Sequence, residues 1–276
     1  YNPLIGSYEV LEGFVETAVP LLKDSRFGRS FEVNAGIRYA DYSTSGGVTP
    51  WKLGFTYSPV DDVTLRVTRS RDIRAGSLSV LFQPGQVLTQ ALFNPWTGAT
   101  QTTQYTTYGN PKISPEKADT QIIGAVFRPR WVPGLTFSVD YWDIDVKDAI
   151  TTVGVTALID GCYTGRFPQY CEYVGRNPDN SFTAITLVPV NLASLHVRGL
   201  DFELGYSVPV GAGMLSVRGL ATRGLKNTTN SGLPNAVDVD SLGLNGAMPE
   251  WRYNVTATYA QGGFTGALTA RGLSSG

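Results

Sequence analysis

The chain has 276 residues, with 22 Lys and Arg against 23 Asp and Glu, and therefore a formal net charge of −1. This balance excludes nucleic-acid binding driven by overall charge, because such binding needs a basic surface that neutralises several phosphates. A single His and two Cys leave too few side chains for a His/Cys metal site or a His-based catalytic centre.

The composition predicts an all-β protein. Charged residues make up 16% of the chain and aromatic residues 11%, and there are 31 Gly and 16 Pro. No window of about 18 apolar residues is present, which excludes a transmembrane helix. A chain rich in Gly and Tyr without long apolar runs is typical of many strands and turns, in a soluble or a membrane-embedded β protein.

Apolar and polar residues alternate along many segments, which predicts strands with one apolar and one polar face. In the clearest case, Phe31, Val33 and Ala35 lie on one face and Glu32 and Asn34 on the other. No segment shows a helical period strong enough to compete. In chain order, about ten strands are predicted, near 7–19, at 31–39, 51–58 and 63–68, near 117–128, at 135–141 and 199–206, near 214–223, and at 251–259 and 264–271.

Alternation alone fits a soluble β-sandwich as well as a membrane barrel, but two details favour the barrel. The apolar stripes often end in aromatic residues such as Tyr39, Trp51 and Tyr141, which is typical of the girdles at the two membrane interfaces. The opposite face carries Arg and Glu in addition to Ser and Thr, which suits a wide, polar lumen. The predicted fold is therefore an antiparallel transmembrane β-barrel.

The connections alternate between short and long, as they do in outer-membrane barrels with tight periplasmic turns and long extracellular loops. The short connections are predicted at 23–29, 59–62, 132–134, 209–213 and 261–263, and the long ones at 72–116, 151–182 and 225–248, with a shorter one at 43–50. The first and the last strand then both have their free ends on the extracellular side. No signal-peptide pattern is visible in the sequence, which begins at Tyr1 and stops within a predicted strand, so both ends look cut. We therefore expect an arc of a larger barrel.

Several segments resemble the barrel of TonB-dependent outer-membrane receptors. The stretch 36–43 resembles a strand of that family, the stretches 53–59 and 65–70 its next hairpin, and 109–116 its GNPxLxPE segment. The stretch 72–78 is close to the family's FRAPSL motif, with Ile73 and Gly76 as departures. The order and spacing of these matches extend over nearly the whole chain, so the chain is identified as a member of this family.

The resemblance implies a 22-stranded barrel around an N-terminal plug domain. Residues 1–276 are expected to form a partial barrel domain, with the plug, the early strands and the final strands outside it. The expected location is the bacterial outer membrane, with the barrel in contact with outer-membrane lipid.

The function implied by the resemblance is energy-coupled import of a scarce, bulky ligand, with a ferric siderophore as the first expectation and the TonB–ExbB–ExbD complex as the partner. Two alternatives remain, a passive porin-like diffusion channel and TonB-dependent import of an oligosaccharide or cobalamin. No cofactor is expected.

The loop near residues 93–108 is a candidate ligand-binding surface. It combines Trp96, Tyr105 and Tyr108 with Thr and Gln, a mixture that stacks on flat or sugar-like ligands and hydrogen-bonds to them. Arg71 and Arg74 precede it and are candidates for attracting an anionic iron chelate. The alternative interpretation is a solvated loop without a ligand.

Cys162 and Cys171 lie nine residues apart in one predicted extracellular loop. We expect a disulfide that rigidifies this loop, since the oxidising periplasm permits one, with two free thiols as the alternative. The spacing does not fit a CxxC metal or redox motif.

No pattern in the sequence predicts an enzyme. His196 has no signalled partner, and neither a GxSxG nor an HExxH motif is present. Asp140, Asp143, Asp145 and Asp148 crowd one strand and are candidate Ca²⁺ ligands. The alternation also slips after Tyr141, however, so a bulge or an exit of the strand from the membrane is the preferred explanation.

Overall fold

The structure is a computed structural model that describes residues 3–233, 236–244 and 246–274. Most of these residues lie in strands, and no helix among them is long and apolar enough to cross a membrane. In chain order the strands are β1 (Val10–Ser25), β2 (Gly28–Tyr42), β3 (Gly46–Val48), β4 (Trp51–Val60), β5 (Val63–Arg74), β6 (Gln86–Asn94), β7 (Ala99–Thr107), β8 (Glu116–Phe127), β9 (Leu135–Thr152), β10 (Val174–Arg176), β11 (Phe182–Leu187), β12 (Pro189–Val210), β13 (Gly213–Asn230), β14 (Val239–Asp240), β15 (Trp251–Gln261) and β16 (Phe264–Leu273). The helices are α1 (Leu78–Phe82), α2 (Val155–Tyr163) and a 3₁₀ helix at Pro168–Tyr173.

Ten strands form one continuous antiparallel sheet in the order β1-β2-β4-β5-β8-β9-β12-β13-β15-β16. The prediction of about ten antiparallel strands, each paired with its neighbour along this path, is confirmed. The short strands β3 and β14 pair with β2 and β13, and a second sheet has the order β10-β11-β7-β6. Three strands of the second sheet, β6, β7 and β10, lie in segments predicted as long loops, and β11 begins where the second of these loops was predicted to end.

The structure differs from the sequence prediction in several boundaries. The sequence predicts a connection at 23–29, whereas β1 continues to Ser25 and β2 begins at Gly28, so the turn is only two residues long. The predicted strand 199–206 is the middle of β12, which has 22 residues. Apolar alternation marks only the part of a strand that faces lipid, so it underestimates strands that continue beyond it.

Short helices lie in two of the long loops, although no segment of the sequence shows a strong helical period. The helix α2 buries Val155, Leu158, Ile159 and Cys162, which have the spacing of one helical face. This pattern was present in the sequence, but nine residues are too few for it to stand out against the surrounding alternation. The shorter α1 is started by the Ser77 side chain, which accepts a hydrogen bond from the Val80 backbone.

The register places most of the large apolar side chains of the main sheet on one face, which we call the outer face. Directly paired residues of adjacent strands share a face, so each row of partners crosses the sheet on one side. Two such rows define the belt: Val33, Phe55, Val67, Ile123, Tyr141 and Leu200, and Phe31, Tyr57, Leu65, Ala125, Val139 and Phe202. The opposite, inner face carries a row of polar and charged residues at the same level: Glu32, Thr56, Arg66, Gly124, Asp140, Asp201, Thr222 and Arg252.

Beyond the belt, five strands continue, and two of them, β9 and β12, reverse the polarity of their two faces. We call this part the extension: residues 69–74, 116–121, 143–152, 189–198 and 226–230. Its outer face carries Asp143 and Asp145, while its inner face carries Ile144, Val146 and Val197. The pairing of β8 with β9 shows no register shift from 117 to 127. The slip of the alternation after Tyr141 is therefore an exit from the belt, and the bulge between β9 and β12 comes only later, near Asp148.

Candidate ligand-contact site

Two loops that are distant in sequence form one lobe on the extension. Strand β7 of segment 72–116 pairs in parallel with β11, which follows segment 151–182, and Tyr105 lies opposite Ile185. Ile185 is almost completely buried in the main apolar cluster of the lobe. Val190 and Leu192, at the start of β12, pack against the same cluster, so the lobe is attached to the main sheet through its core.

The helical part of the lobe is closed by the Cys162–Cys171 disulfide, whose Cα atoms are 4.9 Å apart. Cys162 lies on the buried face of α2, within the apolar cluster. Phe167 and Tyr170 stack at a ring separation of 4.6 Å, and Tyr170 is buried. The bond therefore ties α2 to the 3₁₀ helix across a packed interface.

The turn between β10 and β11 is held to the β6–β7 hairpin by side-chain amides. Asn94 is completely buried and donates one hydrogen bond to the Asn180 carbonyl (2.8 Å) and another to the Gln101 side chain (2.9 Å). The Ser181 hydroxyl and backbone N–H donate to Asp179 and lower the pKa of that carboxyl group. These bonds order the two turns together.

The β6–β7 hairpin has one buried and one exposed face. Leu92, Asn94 and Thr103 are buried in the lobe, whereas Phe93 on the opposite face is 60% exposed. We call that second face the open face. It contains Val87, Thr89, Ala91, Phe93, Thr100, Thr102 and Gln104, all of which are exposed. An aromatic ring among hydroxyl and amide groups is suited to contacts with a flat, polar ligand.

Of the three aromatic residues predicted to contact ligand, only Tyr108 is exposed. Trp96 lies in the β6–β7 turn, edge-on to Tyr163 at 5.2 Å, with the Arg176 guanidinium 4.2 Å from its ring centre. Tyr105 is partly buried against the apolar cluster. Both rings have packing roles inside the lobe. Binding of ligand by these residues stays a prediction.

Arg71 and Arg74 lie on opposite faces of β5, and each is held by a carboxylate. Arg71 is on the outer face and forms two hydrogen bonds with Asp119, at 2.8 and 3.0 Å. Arg74 pairs with Glu116, a buried carboxylate that also accepts a hydrogen bond from the Ile150 backbone at 2.7 Å. Their attraction of an anionic ligand also stays a prediction, and the structure shows both charges already compensated.

The inner wall below the lobe contains an ion pair that crosses a strand. Arg66 on β5 reaches over Gly124 of β8 to Asp140 on β9, with the guanidinium Nε 2.7 Å from the carboxylate. A Cβ atom at Gly124 would overlap the Asp140 carboxylate, so the pair requires glycine at this position. A second pair joins Arg218 to Glu203 at 3.0 Å. The wall presents fixed charges of both signs.

Two asparagine side chains join the lobe to the wall through hydrogen bonds to three backbone carbonyls. The Asn110 side chain donates to the Pro189 carbonyl at 2.9 Å, and the Asn191 side chain donates to the carbonyls of Ser114 and Asp148 at 2.8 Å. Sequence alone signals neither pair, because the partners are separated by up to 79 residues.

The four aspartates of β9 do not converge on one site. Asp140 faces inward to Arg66, whereas Asp143 and Asp145 lie on the outer face. Asp143 accepts hydrogen bonds from His196 (2.9 Å) and Tyr141 (3.0 Å). Across residues 3–233, 236–244 and 246–274, no group of three or more His, Cys, Asp or Glu is arranged to hold a metal ion.

The site therefore combines a disulfide-closed, two-loop lobe and a charged inner wall, an arrangement that can hold a ligand. Both ring nitrogens of His196 are engaged, one with Asp143 and one with Lys226. Sequence reasoning found the aromatic and Thr/Gln composition of the loop but missed which residues are exposed. The alternation of residues 87–94 could have separated the two faces of β6, because Leu92 and Phe93 are necessarily on opposite sides.

Comparison with known families gives a match over almost the whole chain. The family described as "TonB dependent receptor-like, beta-barrel" matches residues 8–275. The comparison with curated proteins finds no match.

Several solved structures share the fold. The siderophore receptor PirA from Acinetobacter baumannii is 16% identical over 97% of this chain and 35% of its own, with a TM-score of 0.63. A mutant of the ferric enterobactin receptor PfeA from Pseudomonas aeruginosa is 16% identical over 96% of this chain and 32% of its own, with a TM-score of 0.68. The RagAB peptide importer is 11% identical over 88% and 31%, with a TM-score of 0.52. The chain spans about a third of the length of these structures.

Proposed function

The chain belongs to the TonB-dependent receptors, a family of outer-membrane β-barrels, and on this basis we propose that it forms part of the wall and the extracellular lobe of a transporter that imports a scarce, bulky ligand. The observation that carries the proposal is the position of the lobe. A rigid lobe with an exposed aromatic and hydroxyl face stands at the end of a sheet whose inner face is charged and whose outer face carries the belt.

We propose a ferric siderophore as the ligand. Two of the proteins that share the fold are named as receptors for a siderophore or for ferric enterobactin. The open face of the hairpin supports the same ligand class, because Phe93 offers a ring for stacking and Gln104 an amide for hydrogen bonds. The fold is also shared with a peptide importer, so the transport experiment includes a peptide mixture.

The proposed transport is driven by the TonB–ExbB–ExbD complex acting on a plug domain outside this chain. Residues 1–276 then supply a partial barrel domain, and strands outside the chain complete the barrel around it. Closure matters because the unpaired edges of β1 and β16 have no hydrogen-bond partners in lipid. We propose that the protein performs no covalent chemistry.

Transport is tested in cells that lack the gene for the complete receptor. We expect a growth defect on at least one ferric siderophore as the only iron source, and uptake of radioactive iron that disappears when TonB is also deleted. Uptake that continues without TonB would support the passive channel instead. Normal growth on every iron chelate would refute the siderophore, and a growth defect on a peptide mixture, or binding of peptides by the complete receptor, would then identify the other ligand class.

The open face is tested by binding measurements on the complete purified receptor. The double substitution Phe93→Ala with Gln104→Ala should raise the Kd for the ferric siderophore about tenfold, because it removes one stacking and one hydrogen-bonding contact. Trp131→Ala is the matched control, since Trp131 is 70% exposed in the short turn at the other end of the sheet. Equal Kd values for wild type, variant and control would exclude the open face from the binding site.

A further inference from the structure

The outer face of the extension carries a band of charged side chains that the proposed transport does not use. The register places it directly beyond the belt, in rows that follow Leu200 and Tyr141. The charged members of the band are Arg69, Arg71, Lys117, Asp119, Asp143, Asp145, Lys147, Arg198 and Lys226, with His196 among them. Six cations therefore stand against three carboxylates.

The three carboxylates leave much of the positive charge uncompensated. Asp119 pairs with Arg71 at 2.8 Å, and Asp145 with Lys147 at 3.4 Å. Asp143 is directly opposite Arg198, yet it pairs with His196 at 2.9 Å instead. Within the described parts of the chain, Arg69, Lys117, Arg198 and Lys226 form no salt bridge.

The register also places like charges directly opposite each other. Arg198 on β12 faces Lys226 on β13, and Lys117 on β8 faces Lys147 on β9. Like charges at directly opposite positions destabilise a sheet unless an anion lies between them. Arg198 and Lys226 therefore repel each other in this register, and a bound anion would offset the repulsion.

A second, independent observation points to the same pair. The Nε atom of Arg198 is buried and has no hydrogen-bond partner, and an orphaned donor of this kind is rare and costly. The Lys226 ammonium lies 3.0 Å from the Nδ1 atom of His196, and the Nε2 atom of His196 is bonded to Asp143. The Lys226 side chain is therefore fixed within the band, and its backbone partner across the strands is Arg198.

We propose that Arg198 and Lys226 bind the phosphate of a phosphorylated lipid headgroup in the outer leaflet of the membrane. The guanidinium and ammonium groups supply charge-assisted donors to phosphate oxygens. The depth agrees with this ligand, because Arg198 lies two residues before Leu200 on β12, and the pair is therefore about 7 Å beyond the belt. The acyl chains of the lipid would then lie against the belt, which a soluble anion could not use.

The experiment measures lipid retained by the complete receptor in native mass spectrometry, with bisphosphorylated lipid A as the probe and its dephosphorylated form for comparison. We expect wild type to retain the phosphorylated probe about tenfold better and the double substitution Arg198→Gln with Lys226→Gln to lose this preference. The control, Lys23→Gln with Arg26→Gln, removes the same charge from exposed positions at the opposite end of the sheet and should keep the preference. An unchanged preference in the Arg198/Lys226 variant would overturn the proposal.

A measurement on the unmodified protein covers the case in which the variant does not fold. Acylation of Lys226 by an amine reagent should slow at least fivefold when bisphosphorylated lipid A is added, while acylation of Lys52 on the inner face should not change. Equal protection by inorganic phosphate would show that a free anion and not a lipid is bound, and no protection at all would refute the site. Neither readout depends on ligand uptake.

Discussion

The belt and the extension belong to the same strands but place their apolar side chains on opposite faces. On β9, Val139 and Tyr141 lie on the outer face of the belt, whereas Ile144 and Val146 lie on the inner face of the extension. The register between β8 and β9 is continuous from the belt into the extension, so the reversal results from the order of the side chains and not from a change in backbone pairing. The outer face is apolar where the belt meets lipid and polar beyond it.

This difference shows that the apolar alternation of a strand indicates how much of the strand faces lipid and not how long the strand is. A strand that continues into water keeps its pairing because the backbone hydrogen bonds do not depend on which face is apolar. The lobe in turn depends on the extension, since Val190 and Leu192 contribute to its packed core.

The largest expected effect is on folding stability when a lysine is introduced on the outer face, either within the belt or in the extension. Val139→Lys should destabilise the folded barrel in lipid by about 2–4 kcal/mol, because a lysine in the belt is exposed to hydrocarbon. Asp145→Lys, six residues further along β9, should cost about 1 kcal/mol, since it replaces an exposed ion pair with exposed like charges but buries no charge in hydrocarbon. Urea unfolding of the complete barrel in bilayers measures both. Similar losses for the two variants would show that the belt does not end at Tyr141.

A smaller effect is expected from opening the disulfide of the lobe. The double substitution Cys162→Ser with Cys171→Ser should lower the stability of the lobe by about 2–3 kcal/mol, because the unfolded loop regains conformational freedom. Hydrogen exchange should accelerate in α2 and β11 but not in the belt residues of β9. Faster exchange in both regions would contradict the separation between lobe and belt.

The smallest expected effect is the difference in coupling free energy between an ion pair on the inner wall and an exposed ion pair on the extension. A double-mutant cycle with Arg66→Gln and Asp140→Asn should give a coupling of about 1 kcal/mol, since Asp140 is largely buried but Arg66 remains half exposed to water. The same cycle for Lys147 and Asp145 on the extension should give only about 0.3 kcal/mol. The unfolding free energies of the single and double variants provide both values. A larger coupling for the exposed pair would reverse the comparison.

Much of the main sheet was predictable because its signals are local. Alternation identified ten strands and their faces, and the slip after Tyr141 identified the point where β9 leaves the belt. The candidate site was less predictable. Trp96 and Tyr105 have the composition of a binding surface, yet both pack within the lobe, since the exposure of an aromatic side chain depends on which distant segment covers it.

The sequence by itself determined the strands, their apolar faces and the family, because side chains alternate with a period of two wherever the backbone is extended. Only the tertiary structure decided that the two long loops share one sheet, through the pairing of Tyr105 with Ile185 across 80 residues. It also brought Arg66 to Asp140 over Gly124, and Arg198 opposite Lys226. Those contacts depend on register between separate strands, and the pattern within one strand contains no information about the position of its neighbour.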